Sequence, residues 1–223
     1  MLPSILFEDY YLAVLHKPAG LMVEDDNYGN PSLQSWFLNH LQTKFPTNKN
    51  YYISFPHRID RVTEGLIIIA KTKSALQNLN QQFNSRSITK VYHVLAEHAL
   101  PTAEGTLTDY HQKHTKLKKA ILSNRKKEGF VRAELKYKEV CNTRSNAVLY
   151  KVELITGRYH QIRVQFSSRN ATVVGDSFYG ATTEYQQGAI ALIATEILFS
   201  HPKTNQAMHY KIPLPKNSKW QCR

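Results

Sequence analysis

Apolar positions along this chain change their spacing several times, and each spacing names an element. Leu12-Ala13-Val14-Leu15 is a continuous apolar run of strand length, stopped by His16-Lys17-Pro18-Ala19-Gly20, where proline and glycine force a turn that displays Lys17. Asn30 before Pro31 predicts a helix start, and Leu33, Trp36, Phe37 and Leu41 then recur as one helical stripe. Residues 44–50 read as a polar loop and residues 51–55 as a strand ended by Pro56. Gly65 opens a second apolar strand. Ser74 is the expected cap of a helix bearing Ala75, Leu76, Leu79 and Phe83 on one face, and residues 91–96 resume a strand.

The second half changes character. Between Lys113 and Lys127 stand Lys113, Lys116, Lys118, Lys119, Arg125, Lys126 and Lys127 with no acid among them, which reads as a surface loop or exposed hairpin. Residues 135–138 and 148–154 alternate as half-buried antiparallel strands do. Residues 159–169 fit either period, and Asn170, a tolerable left-handed stop, favours a short helix. Strands are expected at residues 190–195, 197–200 and 208–212. No repeat or linker divides the chain, so the reading is one mixed α/β (α+β) domain over residues 1–223. Its sheet is central and mainly antiparallel, flanked by helices and loops.

Charge narrows the partner. With 29 Lys+Arg against 17 Asp+Glu the net charge is +12, and 42% hydrophobic residues make the chain too apolar for a disordered basic tail. A surplus of that size concentrates polyanions, so nucleic acid or an acidic surface is the favoured partner. Glu8 and Asp9 interrupt the first apolar stretch, so no signal peptide is read. The longest apolar run, residues 66–70, is far short of the roughly 18 residues of a membrane helix, so no membrane partner is expected. Cys141 and Cys222 are the only cysteines and form no C-x-x-C pair, which predicts neither a disulfide framework nor a cysteine-built zinc site and fits a reducing cytoplasm.

Three clusters carry candidate chemistry. His57-Arg58-Ile59-Asp60-Arg61 lies between two strands; if extended, Arg58 and Asp60 share a face and Arg61 points away. A carboxylate set among arginines stays ionised and so acts as nucleophile or base rather than acid. The plainer reading is a structural ion pair at a strand end. In Thr156-Gly157-Arg158-Tyr159-His160-Gln161-Ile162-Arg163, a helix would put His160 and Arg163 on one face, with Gly157 allowing close backbone approach. In Lys90-Val91-Tyr92, Tyr92 is either a half-buried strand aromatic or a platform for a nucleobase.

Taken together, the clusters form an ordered set. Residues 57–72 closely resemble the signature of the RluA-type pseudouridine synthases, an H-R-L-D-R block followed by T-x-G and an aliphatic strand ending in A-K-T. Lys17-Pro18-Ala19-Gly20-Leu21 resembles that family's first motif, Lys90-Val91-Tyr92 its K-x-Y, and residues 157–164 its G-R-T-H-Q-I-R-V. Val174-Gly175-Asp176-Ser177-Phe178-Tyr179-Gly180 is similar to V-G-D-x-x-Y-G, and Phe199-Ser200-His201-Pro202 to F-x-H-P. The resemblance implies isomerisation of uridine in ribosomal or transfer RNA by a cytoplasmic monomer, with no cofactor and no metal. The C1′–N1 bond breaks, uracil turns over and C5 joins C1′. Asp60 would act at the sugar, attacking C1′ or removing the 2′ proton. Arg163 would pair with Asp60, Tyr92 would stack on the target base, and Arg58 would hold the nucleotide out of its stack. Lys17, Arg158, His160, Lys116, Lys118 and Lys119 complete the expected RNA contacts.

The match has departures: Val62 replaces a polar residue, Tyr159 a threonine, Gln165 a histidine and Ile193 another histidine. Tyr159 removes a helix-capping side chain. No room is expected for the small N-terminal S4-like RNA-binding domain of many relatives, so recognition falls to the catalytic domain and its basic stretch. Two other classes are weighed. A catalytically inert RNA-binding module would keep this fold, but the retained Asp60, Tyr92 and Arg163 argue against it. A metal-dependent nuclease or hydrolase would have to use His111-x-x-His114, which has no neighbouring carboxylate.

Overall fold

The structure is a computed structural model describing residues 2–48 and 50–223. Lys49, inside the expected polar loop 44–50, lies outside the described residues. In chain order come β1 (Ser4–Glu8), β2 (Leu12–Lys17), α1 (Leu33–Lys44), β3 (Glu64–Ala70), α2 (Lys73–Asn84), β4 (Thr89–Ala96), β5 (Glu104–His114) and β6 (Lys119–Ser123). There follow β7 (Val131–Asn142), β8 (Val148–Leu154), α3 (Gln161–Ser167), β9 (Leu192–Ser200) and β10 (Ala207–Lys211). Two compact units result: the chain through Ile88 with Ala194–Ile212, and Thr89–Ile193 with Pro213–Arg223.

In the first unit the strand order is β1-β2-β3-β9-β10, with β1 and β2, β2 and β3, and β9 and β10 antiparallel. Strand β3 is buried on both faces, Leu66 through Ala70 being almost wholly inaccessible, which is why it reads as an unbroken apolar run rather than an alternation. Gly65 sits at φ +139°, and a Cβ there would stand 2.4 Å from the Ala194 carbonyl oxygen, so only glycine permits this approach of β3 to β9. Helix α1 buries Leu33, Phe37 and Leu41, and α2 buries Ala75 and Leu79.

Several expectations need correction. Both helices start at a hydroxyl cap other than the expected residue. Ser32 accepts from the Ser35 amide at 3.0 Å and Thr72 from the Ala75 amide at 3.1 Å, whereas Asn30 and Ser74 were expected. Strand β1 has no strong sequence signal because it is a largely solvent-facing edge. Residues 51–55 form no strand; Ser54 alone bridges Ala70. The strands expected at 190–195 and 197–200 are one strand, β9. Glu196 does not interrupt it because the His209 imidazole meets its carboxylate at 2.6 Å across the pair with β10.

The second unit has the order β4-β8-β7-β5-β6, every neighbouring pair antiparallel. The cationic stretch is a hairpin, β5 turning into β6 at residues 115–118. Helix α3 is held on the sheet by Phe166, whose ring meets Tyr150 edge-on at 5.6 Å; it ends at Ser167, and the turn that follows reaches Asn170 in the left-handed region. Contrary to the sequence reading, Cys141 and Cys222 are joined in a disulfide with Cα atoms 5.7 Å apart. Their separation of 81 residues hides a contact made when the C-terminal tail returns to the end of β7, where Thr143 and Cys222 form a bridge. Buried Trp220 seals the tail by donating to the Tyr185 hydroxyl at 2.9 Å.

Candidate active site

In the first unit Asp60 opens a tight turn closed by the Thr63 amide donating to the Asp60 carbonyl at 3.0 Å. The turn is held from beneath. Lys17 at the end of β2 is fully buried, and its ammonium donates to the carbonyls of Pro18 at 2.9 Å, Leu21 at 2.8 Å and Arg61 at 3.3 Å. The Gly20 amide also donates to the Arg61 carbonyl, at 2.8 Å, and Arg61 Nε returns a bond to the Gly20 carbonyl at 3.0 Å. One lysine and one reciprocal pair therefore lock the Pro18-Ala19-Gly20 turn to the Asp60 turn. On the other side His57 Nε2 accepts from the Ile68 amide at 2.9 Å and its ring stacks on Phe83.

The expectation that the turn displays Lys17 is corrected by this burial: three donors on three carbonyls leave it no outward role. Burial pushes its ammonium down to about 7, while the negative charges of Asp60 and Glu64 pull the other way. Arg58 is exposed and pairs with Glu24 at 3.1 Å, a surface pair of about 0–1 kcal/mol that a phosphate can displace. Residues 57–61 belong to no strand; Arg58 is exposed and Asp60 half-buried. Thr63, buried beside this turn, has a hydroxyl without a hydrogen-bond partner.

In the second unit Arg163 is gripped by a residue that sequence reasoning did not single out. Its Nε donates to Asp176 Oδ2 at 2.7 Å and its Nη2 to Asp176 Oδ1 at 2.8 Å, a bidentate and almost fully buried pair. The signal was present in the V-G-D-x-x-Y-G block, where an aspartate stands in an apolar stretch and so needs a cation. His160 precedes α3 with φ +51°, and its Nδ1 lies 3.1 Å from the Tyr179 hydroxyl. That hydroxyl accepts from the Ala120 amide at 2.8 Å; burial pushes the phenol up to about 12, so it keeps a proton to share with His160. His160 and Arg163 thus converge on Tyr179, whose ring centroid is 5.1 Å from the guanidinium carbon.

Gln161 aligns this loop. It accepts from the Thr156 hydroxyl at 2.8 Å and the Arg158 amide at 3.0 Å, and donates to the Glu134 carbonyl at 3.1 Å. Arg158 is exposed, with Nε on the Arg132 carbonyl at 3.2 Å. Tyr92 lies on β4 opposite Val152 and is 7% exposed. Lys116 and Lys118 are exposed at the hairpin turn and Lys119 is half-buried. His111 Nε2 donates to the Tyr159 carbonyl at 2.8 Å, while His114 Nδ1 accepts from the Leu117 amide. The described residues include no group of three metal-ligating side chains. The structure therefore brings Lys17, Arg58 and Asp60 together in one unit, and Arg158, His160, Arg163 and Lys119 in the other, which also carries Tyr92.

Comparison with known proteins converges on one family. A family model described as RNA pseudouridylate synthase matches residues 11–168. The chain is 30% identical over 222 residues to an uncharacterised RNA pseudouridine synthase of Bacillus subtilis, covering 99% of this chain and 71% of the relative. It is 31% identical over 228 residues to the ribosomal large subunit pseudouridine synthase C of Buchnera aphidicola, covering 94% and 66%. Among solved structures it is similar to human RNA pseudouridylate synthase domain containing 4, with TM-score 0.75, 19% identity and 95% and 88% of the two chains covered. That likeness shows the fold.

Proposed function

The chain belongs to the RNA pseudouridylate synthase family, and from that premise we propose that it isomerises particular uridines in ribosomal or transfer RNA with Asp60 as the group that acts at the sugar. The observation that carries this is the architecture around Asp60. A carboxylate sits on a turn whose backbone is fixed by Lys17, Gly20 and Arg61, so its position is set before substrate arrives. The matched segment contains Asp60, Tyr92 and Arg163. Asp60 stabilises or captures C1′ as the C1′–N1 bond breaks. The freed uracil turns over, C5 bonds to C1′ and releases Asp60, the C5 proton is lost to solvent and N1 takes up a proton in its place. Tyr92 stacks on the target base, Arg163 supplies the cation that balances charge at the reacting centre, and exposed Arg58 steadies the extruded nucleotide.

Residues 1–223 act as one catalytic domain and, in this reading, as a monomer in the cytoplasm, where ribosomal and transfer RNA are found. The Cys141–Cys222 bridge is a feature that a reducing compartment does not favour. Lys17 enters the reaction as a support of the Asp60 turn rather than as an RNA contact. The test is tritium release from RNA labelled at uridine C5. The wild-type chain releases tritium, and Asp60→Asn, which keeps volume and loses charge, abolishes release while RNA affinity stays nearly intact. Retention of a tenth of the wild-type rate would overturn the assignment of Asp60.

A further inference from the structure

Beside the Arg163–Asp176 pair the second unit exposes an aromatic ring that the reaction at Asp60 does not use. Phe178 lies in the short 3-10 turn Ser177–Tyr179 and is 45% exposed, although its neighbours Asp176 and Tyr179 are buried. The turn is rigid by construction. Asp176 is tied to Arg163, Tyr179 is hydrogen-bonded to Ala120 and His160, the Tyr179 carbonyl accepts from Ser167 at 2.8 Å, and Gly180 closes the turn at φ +96°. Phe178 meets Tyr179 edge-on at 5.4 Å and His160 at 5.9 Å, so its orientation is set by a packed base.

Cations surround this ring. Lys119 Nζ is 5.5 Å from the Phe178 centroid and 4.9 Å from that of Tyr179, and the Arg163 guanidinium carbon is 5.9 Å from Phe178. Next to them Tyr159 stands where the family pattern has threonine. Its ring is stacked on His160 at 3.8 Å and covered by Lys113 Nζ at 4.6 Å. Its carbonyl accepts from His111, and its hydroxyl donates to the Lys118 carbonyl at 2.9 Å, which joins the basic hairpin to this aromatic group. A partly exposed aromatic ring among fixed cations is an arrangement by which proteins hold unpaired nucleotides, the ring taking the base and the cations the phosphates.

We propose that Phe178, with Lys119 beside it, is a stacking platform for an unpaired nucleobase of the substrate RNA. The proposal rests on the reading of the chain as an RNA uridine isomerase and adds a second base-binding position to it. The charge of the surroundings selects RNA over a second copy of this chain: a copy carrying +12 would be repelled, whereas a polyanion is attracted. Tyr159 takes no base itself, since its ring is already stacked on His160 at 3.8 Å; it braces the basic hairpin against the platform.

The test is equilibrium binding of a short single-stranded uridine oligoribonucleotide, alongside one of equal length carrying abasic riboses, to the wild-type chain and to Phe178→Ala, Phe178→Leu and Phe178→Tyr. Alanine and leucine should weaken binding of the uridine strand roughly 5- to 100-fold, as loss of one base stack does, while tyrosine keeps it. The abasic strand should bind all four proteins alike. In tritium release the loss should fall on KM more than on kcat, and the melting temperatures should stay close together. Equal Kd for wild type and alanine, leucine binding as well as tyrosine, or an equal loss with the abasic strand would each overturn the platform. So would a Phe178-dependent dimer whose RNA affinity is unchanged by the alanine substitution. Binding does not need turnover. A wild-type chain that binds through Phe178 without releasing tritium sinks the proposed reaction and keeps the platform; one that turns over with Phe178 immaterial does the reverse.

Discussion

Lys17 joins a charge to a fully buried position, and its three carbonyl partners belong to the two turns that present Asp60. Its ammonium, pushed down to about 7 by burial from an ordinary 10.5, binds fewer protons folded than unfolded between those two values. Unfolding there takes up a proton, so this residue makes stability rise with pH from about 7 to 10.5, with the full penalty below that window and none above it. Lys17→Met should remove the rise, and because the Arg61 carbonyl then loses a partner it should also slow tritium release. Urea unfolding of both proteins across this window measures the difference, and parallel stability curves would contradict the role of Lys17. The sequence showed that a lysine stands at the turn but not where it points. Turn residues usually face solvent, and only the meeting of the two turns supplies carbonyls enough to bury an ammonium. Asp60, by contrast, was legible through its motif, and Asp176 was legible only as part of one.

At the scale of elements, hydrophobic spacing was a sound guide to where helices and inner strands lie, because burial of Leu33, Phe37, Leu41, Ala75 and Leu79 is what forms them. Helix starts were less legible, since several hydroxyl and amide side chains stand near each and the final choice depends on the chain's entry angle. The basic stretch was legible as a surface element, and the structure makes it the β5–β6 hairpin. Exposed Lys116 and Lys118 and half-buried Lys119 suit phosphate contact without reading bases. Each such contact to a single strand contributes roughly −0.7 to the slope of log affinity against log salt, so Lys116→Gln, Lys118→Gln and Lys119→Gln combined should flatten it by about two units. Affinity titrations at several salt concentrations check this, and the same weakening should appear with unrelated RNAs. A slope change below about half a unit would leave the hairpin without an RNA role.

For the molecule as a whole, a net charge of +12 and an ordered series of motifs point to RNA uridine chemistry without any geometry, and the family match over residues 11–168 agrees. What stayed illegible is what joins distant segments: the Cys141–Cys222 bridge, the grip of Asp176 on Arg163 and the aromatic group at Phe178 all depend on chain reversals that local patterns do not specify. The central claim is that this fold converts uridine to pseudouridine through Asp60. Its most direct test is a map of pseudouridine in total cellular RNA from cells with the gene, without it, and without it but supplied with either the wild-type or the Asp60→Asn gene. The account predicts that one or more pseudouridines in ribosomal or transfer RNA disappear with the gene, return with the wild-type copy and stay absent with Asp60→Asn. A map unchanged by deletion, or one restored by Asp60→Asn, would contradict it.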